Sequence, residues 1–120
     1  MYGEDMDWCK RFWQKGWRIR FLPQAEAVHY GGASSANAPV RFFIEMQRAN
    51  LQYWRKHHSL VARWGIYLVY CLHHGVRIGT HFAAMLVRVQ KRADHRFKMR
   101  RSLTCLNWLI RVPFRGVVTG

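Results

Sequence analysis

Three carboxylates stand close together near the start of the chain. Glu4, Asp5 and Asp7 follow Gly3, and Arg11 comes one helical turn after Asp7. Acidic residues are favourable in the first turn of a helix because they face the positive end of its dipole. A carboxylate held there can also take a proton from a hydroxyl group. These residue types indicate either general-base chemistry or simple helix capping.

The spacing of Asp7 and Arg11 favours an ion pair. Residues four apart face each other on a helix, so this pair is predicted to stabilise the helix. His29 stands at the end of a predicted strand, where an imidazole can hydrogen-bond a backbone group. The doublets His57-His58 and His73-His74 are not expected to chelate, since adjacent helical residues point in different directions.

These residues must be positioned by the elements around them. The sequence predicts a helix from Glu4 to about Lys15, which Gly16 ends. Residues 17–22 alternate apolar and basic side chains, which is typical of a half-buried strand, and residues 27–30 are predicted to form a second strand. A stretch of small residues, 31–39, forms a loop and a natural boundary.

Beyond this boundary the apolar period becomes that of a helix. Phe42, Met46, Ala49 and Tyr53 share one face of an amphipathic helix. Ser59 is predicted to cap a second helix, which breaks near Gly75 and resumes from Phe82 to Val89. A last apolar helix is expected from Leu103 to Val112. The predicted fold class is therefore an α/β fragment, predominantly helical, with short strands.

Positive charge dominates the second part of the chain. The 120 residues include 20 Lys and Arg against 6 Asp and Glu, which gives a formal net charge of +14. Residues 1–30 carry a net charge of only +1, and residues 31–120 carry the remaining +13. Such a field attracts phosphates of nucleic acid, lipid head groups or pyrophosphate-linked substrates. Three cysteines without a pairing pattern fit a reducing compartment, and no secretory signal is recognised.

The first 35 residues resemble a known enzyme family. YGEDMDWCKR at residues 2–11, followed by GWRIRFLPQAEAVHYGGASS at residues 16–35, is similar to the pattern of bacterial family 2 glycosyltransferases of the GT-A type. The pattern is similar to that of the rhamnosyltransferase-like and galactofuranosyltransferase-like members. The resemblance is weaker at residues 53–58 and slight at residues 114–116. It implies transfer of a sugar from a nucleotide-sugar donor to a glycan or lipid-linked acceptor in the synthesis of cell-surface polysaccharide.

The resemblance also implies a role for each acidic residue. Asp5 matches the general base that deprotonates the acceptor hydroxyl, and Glu4 would help to position it. Asp7 and Arg11 would support the site structurally. His29 matches a ligand of the divalent metal, Mn²⁺ or Mg²⁺, that bridges the donor pyrophosphate in the complete enzyme.

The nucleotide-binding half of such an enzyme is not recognised in this sequence. No Asp-x-Asp motif and no Gly-rich phosphate loop precede the acidic motif. We therefore expect residues 1–38 to be the acceptor side of a GT-A domain, residues 39–120 to be a basic helical extension, and the isolated chain to be inactive. A separate N-terminal half is a possible partner.

We expect the helical extension to meet an anionic membrane surface. Trp64 and Trp108 are predicted to enter the interface, while Arg88, Lys91 and Arg92 meet the head groups. No apolar stretch is long enough to span a bilayer, so the predicted location is cytoplasmic and peripheral on the inner face of the cell membrane. The alternatives are an ordinary helical subdomain with a solvated basic face, a structural interaction subunit, or a small nucleic-acid-binding protein. No nucleic-acid-binding motif is visible, and we do not expect a nucleic-acid partner.

Overall fold

Helices make up nearly all of the regular structure. The computed structural model describes residues 2–28 and 38–111. It contains helices α1 (Glu4–Gln14), α2 (Pro39–His57), α3 (Leu60–Val87) and α4 (Arg92–Arg111), with a 3-10 turn (Val89–Lys91) between the last two. The chain divides into two compact units at Asn50 and Leu51, within α2.

The prediction of an α/β fragment with short strands is wrong. The described part of the chain contains no strand, and residues 17–28, which include the predicted strand at residues 17–22, run as irregular backbone. A strand requires a neighbouring strand for its hydrogen bonds and a surface for its apolar face. Neither is found within residues 2–28 and 38–111, and Ile19, Phe21 and Val28 are all exposed. Of the second predicted strand, residues 29 and 30 lie outside the described residues.

Two glycines in the left-handed conformation delimit α1. Gly3 precedes the helix with φ 84°, and Gly16 follows it with φ 82°. Glycine adopts this conformation at little cost because it has no Cβ atom. The predicted extent of α1 is therefore confirmed. The apolar side chains of the helix face outward, since none of its residues is buried.

Helix α3 begins as predicted but does not break. The Ser59 hydroxyl accepts a hydrogen bond from the Ala62 N–H at 3.5 Å, which confirms the N-cap. The expected break near Gly75 is wrong, because α3 runs from Leu60 to Val87 without interruption. A helical glycine costs only about 1 kcal/mol relative to alanine, and the packing of α3 against α4 offsets this cost.

Helix α4 begins 11 residues earlier than the predicted helix at Leu103. The basic segment before Leu103 forms the 3-10 turn and the first half of α4. Asp94 in the first turn favours this start, and it pairs with Lys98 at 2.7 Å.

The helical hairpin of α3 and α4 contains the core of the second unit. Leu51, Tyr67 and Leu109 form the buried cluster. Partly buried side chains surround it: Trp64, Ile66, Tyr70, Cys71 and Trp108. The Tyr67 hydroxyl donates a hydrogen bond to the Leu109 carbonyl oxygen at 3.2 Å, which ties α3 to the end of α4.

Candidate functional site

Asp5 lies exposed in the first turn of α1. One oxygen, Oδ1, accepts a hydrogen bond from the Met6 N–H at 2.9 Å. No hydrogen bond from the described residues reaches its second oxygen, Oδ2. The neighbouring Glu4 is also exposed. Asp5 is thus oriented by the helix backbone and keeps one oxygen accessible, so it could accept a proton from a hydroxyl group placed within hydrogen-bonding distance.

Asp7 and Arg11 form the predicted ion pair. Arg11 Nε lies 2.9 Å from Asp7 Oδ2, and the Asp7 side chain is only 20% exposed. Asp7 also donates its backbone N–H to the Gly3 carbonyl oxygen at 3.0 Å. The Asp7 carboxylate therefore has a charged partner on the helix, whereas the Asp5 carboxylate contacts only a backbone N–H group among the described residues.

The backbone just before the carboxylates has an unusual conformation. Tyr2 has φ 82°, a left-handed value that costs a residue with a Cβ atom about 1 kcal/mol or more. Its ring packs edge-to-face on Phe42 of α2, with the ring centroids 6.4 Å apart. This contact fixes the start of α1 against α2 within the first unit.

His29, the predicted metal ligand, lies outside the described residues. Among residues 2–28 and 38–111, no three His, Cys, Asp or Glu side chains come together in a group that could hold a metal ion. Neither doublet, His57-His58 or His73-His74, belongs to such a group.

The predicted membrane contacts fall into two different environments. Trp64 and Trp108 are partly buried and pack against the core cluster. Arg88, Lys91 and Arg92, by contrast, are exposed at the turn between α3 and α4. Arg92 also donates from Nε to the Met85 carbonyl oxygen at 2.9 Å and so caps the end of α3. The structure therefore brings the three basic residues together and separates them from the two tryptophans.

Side-chain nitrogen atoms of Arg77, His81 and His95 form two successive contacts that link α3 to α4. The sequence did not predict these contacts. Arg77 lies 3.3 Å from His81 Nε2, and His81 Nδ1 lies 3.2 Å from His95 Nδ1. Because a guanidinium group only donates, the neutral His81 accepts at Nε2 and donates from Nδ1 to His95. Burial, Arg77 and His95 lower the pKa of His81. The contact joins residues 14 apart, and only the turn geometry brings them together.

His74 is fully buried in the same hairpin. Burial, followed by the nearby charges of His73, Arg77 and Arg101, lowers its pKa from 6.5 to about 4. The imidazole is therefore neutral at physiological pH, and Cys105 on α4 is likewise held as a thiol because burial raises its pKa. Both groups are therefore uncharged inside the hairpin.

Comparison with known proteins gives no relative for this chain. No family model, no curated protein and no solved structure matches it.

Proposed function

We propose that the first part of this chain is the acceptor side of a nucleotide-sugar-dependent glycosyltransferase. The observation that carries the proposal is the difference between two carboxylates on one helix. Asp7 is paired with Arg11, whereas Asp5 is exposed with one oxygen accessible. This is the division between support and base that the resemblance of residues 2–11 to family 2 glycosyltransferases implies.

In the proposed reaction, Asp5 removes the proton from a hydroxyl group of the acceptor. The hydroxyl oxygen then attacks the anomeric carbon of the donor, and the bond from that carbon to the nucleoside diphosphate breaks. The diphosphate leaves with the electron pair of the broken bond. Glu4, adjacent to Asp5 in the first turn of α1, positions the acceptor or the base. The acceptor is a glycan or a lipid-linked sugar, as the resemblance implies.

The exposed apolar surface near α1 supports this proposal. Trp8 and Trp13 of α1 are 60% and 70% exposed, and Phe21 in the segment after it is 89% exposed. A separate polypeptide carrying the nucleotide-binding part of the enzyme would pack on this surface and bury the side chains that are now exposed.

A divalent metal belongs to the proposed complete enzyme, but the described residues offer no ligand set that fits one. We therefore derive no step of the reaction through a metal ion. His29 stays a predicted ligand on the resemblance alone.

The test joins this chain to the nucleotide-binding half of a family 2 glycosyltransferase. We expect the isolated chain to transfer no sugar and the joined protein to be active. In the joined protein, Asp5→Asn keeps the shape of the side chain but removes the base. It should lower kcat by about two to four orders of magnitude, with donor binding almost unchanged.

Asp94→Asn is the matched control, because it removes an exposed carboxylate whose ion pair within the described residues is with Lys98 in α4. It should leave kcat within about two-fold of the unmodified enzyme. Turnover by the isolated chain that survives Asp5→Asn would contradict the proposal. Equal losses of donor affinity and kcat would instead assign Asp5 to donor binding.

We also propose that the turn between α3 and α4 meets an anionic membrane surface. Arg88, Lys91 and Arg92 are exposed at this turn, and Arg96 and Arg100 continue the basic surface along α4. Each such residue contributes about 1 kcal/mol near anionic lipid. Such a contact would hold the enzyme near a lipid-linked acceptor. No helix in the described part of the chain is both long enough and apolar enough to cross a bilayer.

A further inference from the structure

The outward face of α3 is apolar along the whole helix. This face carries no Asp, Glu, Lys or Arg, and it is exposed to solvent from one end of α3 to the other. Its large side chains are well exposed, with Leu72 at 68% and Leu86 at 65%. The opposite face of α3 packs against α4 and buries Tyr67 and His74. The residues of this face, which we call the α3 outer face, are Val61, Gly65, Leu68, Val69, Leu72, Gly75, Val76, Gly79, Phe82, Ala83 and Leu86.

The residues at the centre of the α3 outer face follow a heptad repeat. One position of the repeat holds Gly65, Leu72, Gly79 and Leu86. The other position holds Val61, Leu68, Gly75 and Phe82. This alternating spacing of three and four residues is the seam along which two helices pack side by side.

Three glycines lie on this seam. Neither the packing nor the backbone conformation of the described hairpin requires glycine at these positions. A Cβ atom at Gly65, Gly75 or Gly79 would meet no atom within 4 Å. Their φ angles are not left-handed, so the backbone does not require glycine either. Glycine is nevertheless among the least favourable residues in a helix. Close approach of another chain on the outside would explain all three positions.

A second, antiparallel copy of α3 fits the pattern layer by layer. When Leu72 faces Gly75 of the second copy, the same register brings Leu68 opposite Gly79. The outer layers then pair Gly65 with Phe82 and Val61 with Leu86. Three of the four layers therefore match a large side chain with a glycine, and the two-fold symmetry repeats each layer on the other side.

Charge and area agree with this arrangement. The exposed arginines of the hairpin, such as Arg96 and Arg100, lie on α4, which packs on the opposite side of α3. The seam therefore does not bring these arginines of the two copies together. A helix of 28 residues is about 42 Å long, and a contact strip about 10 Å wide would bury roughly 800–1,000 Å² over both copies. This area is at the low end for specific complexes and predicts a dimer that dissociates on dilution.

We propose that the α3 outer face is the interface of an antiparallel homodimer, in which Leu68 and Leu72 of each copy pack on Gly79 and Gly75 of the other. The inference goes beyond the proposed function and does not rest on it, because its test reads only the state of assembly.

The test measures the mass of the full chain by sedimentation equilibrium, from about 1 µM to about 200 µM, in reducing buffer so that the exposed Cys9 cannot form a disulfide. We expect the chain to dimerise within this range. Gly79→Leu places two leucines in one layer and should raise the dissociation constant at least about ten-fold. Leu68→Gly leaves a gap in the same layer and should also weaken the dimer.

The double variant Leu68→Gly with Gly79→Leu reverses large and small in that layer. It should restore the dissociation constant to within about three-fold of the original, a result that only a contact between these two positions produces. Asn107→Leu adds a leucine to the exposed face of α4 and should leave assembly unchanged. Circular dichroism will show whether each variant keeps its helix content.

Three results would overturn the proposal. The first is a chain that stays monomeric up to about 200 µM. The second is a dimer that Gly79→Leu does not weaken or that the double variant does not restore. The third is a monomer that binds uncharged lipid vesicles more tightly after Gly79→Leu, which would make a lipid surface the occupant of this face.

Discussion

His74 shows how the hairpin makes a single side chain sensitive to pH. The imidazole is fully buried, and the charges that act on it come from His73 and Arg77 on α3 and from Arg101 on α4. All of these are positive or become positive in acid. The folded state therefore favours the neutral form of His74.

We predict that the free energy of unfolding falls as the pH is lowered from about 6.5 to about 4. The pKa of His74 is 6.5 when unfolded and about 4 when folded, so acid protonates the unfolded state first and draws the protein toward it. The loss from this group should reach up to about 3 kcal/mol at pH 4, and it should be absent above about pH 7. Urea denaturation at a series of pH values measures it.

His74→Gln should be less stable at pH 7 because it alters a buried site, yet its stability should depend less on pH. His73→Gln removes the exposed neighbour and should keep most of the dependence. Equal pH dependence in the original protein and in His74→Gln would exclude His74 as the source.

The local features of the candidate site could be predicted from the sequence, and the long-range ones could not. The spacing of Asp7 and Arg11 predicted their ion pair, which the 2.9 Å distance confirms. The assignment of Asp5 as a general base stays a prediction. The contact of His81 with His95 depends on how the turn aligns α3 with α4, and no spacing rule encodes that alignment. For the same reason the sequence did not indicate that Trp64 and Trp108 would pack on the core.

At the scale of elements, one side-chain hydrogen bond is expected to stabilise the end of α4. The Leu109 carbonyl lies among the last four of the helix, which lack intrahelical donors. The residue four positions further on is Pro113, which has no N–H group. The Tyr67 hydroxyl donates to this carbonyl instead, inside the core.

We predict that Tyr67→Phe lowers the free energy of unfolding by about 1–2 kcal/mol. The substitution keeps the ring but leaves the buried Leu109 carbonyl oxygen without this donor. Tyr2→Phe is the matched control, since no hydrogen bond of the Tyr2 hydroxyl is found within the described residues. Urea denaturation at pH 7 compares the two variants, and equal stability would show that the Tyr67 hydrogen bond contributes nothing.

Helix ends were predictable where a short motif defines them, as with Gly16 after α1 and the cap at Ser59. The predicted strand at residues 17–22 is wrong because an alternating pattern indicates only a preference for the strand conformation. A strand forms only when a neighbouring strand packs and pairs with it. The predicted break at Gly75 is wrong because packing along α3 outweighs the propensity of one residue. For Gly75 the deciding partner is α4, which lies far away in the sequence.

At the scale of the whole molecule, the distribution of charge determines what the chain attracts. The second unit carries most of the net charge of +14, and its exposed basic residues cluster at the turn and along α4. Electrostatic attraction acts over about 8 Å at physiological salt. Only residues that reach the bound surface can contribute, so position and not total charge should determine binding.

The last prediction tests this distinction with two triple variants of equal charge. Changing Arg88, Lys91 and Arg96 to Gln should weaken binding of the full chain to anionic vesicles roughly 100-fold, since each residue contributes about 1 kcal/mol. Changing Lys15, Arg18 and Arg20 to Gln removes the same charge from exposed positions in the first unit and should have little effect. Co-sedimentation at low and high salt measures both, and salt should weaken binding because it screens the attraction between these charges and the lipid. Equal losses in the two variants would contradict a contact at the turn. Tight binding to duplex DNA without vesicle binding would favour a nucleic-acid-binding protein instead.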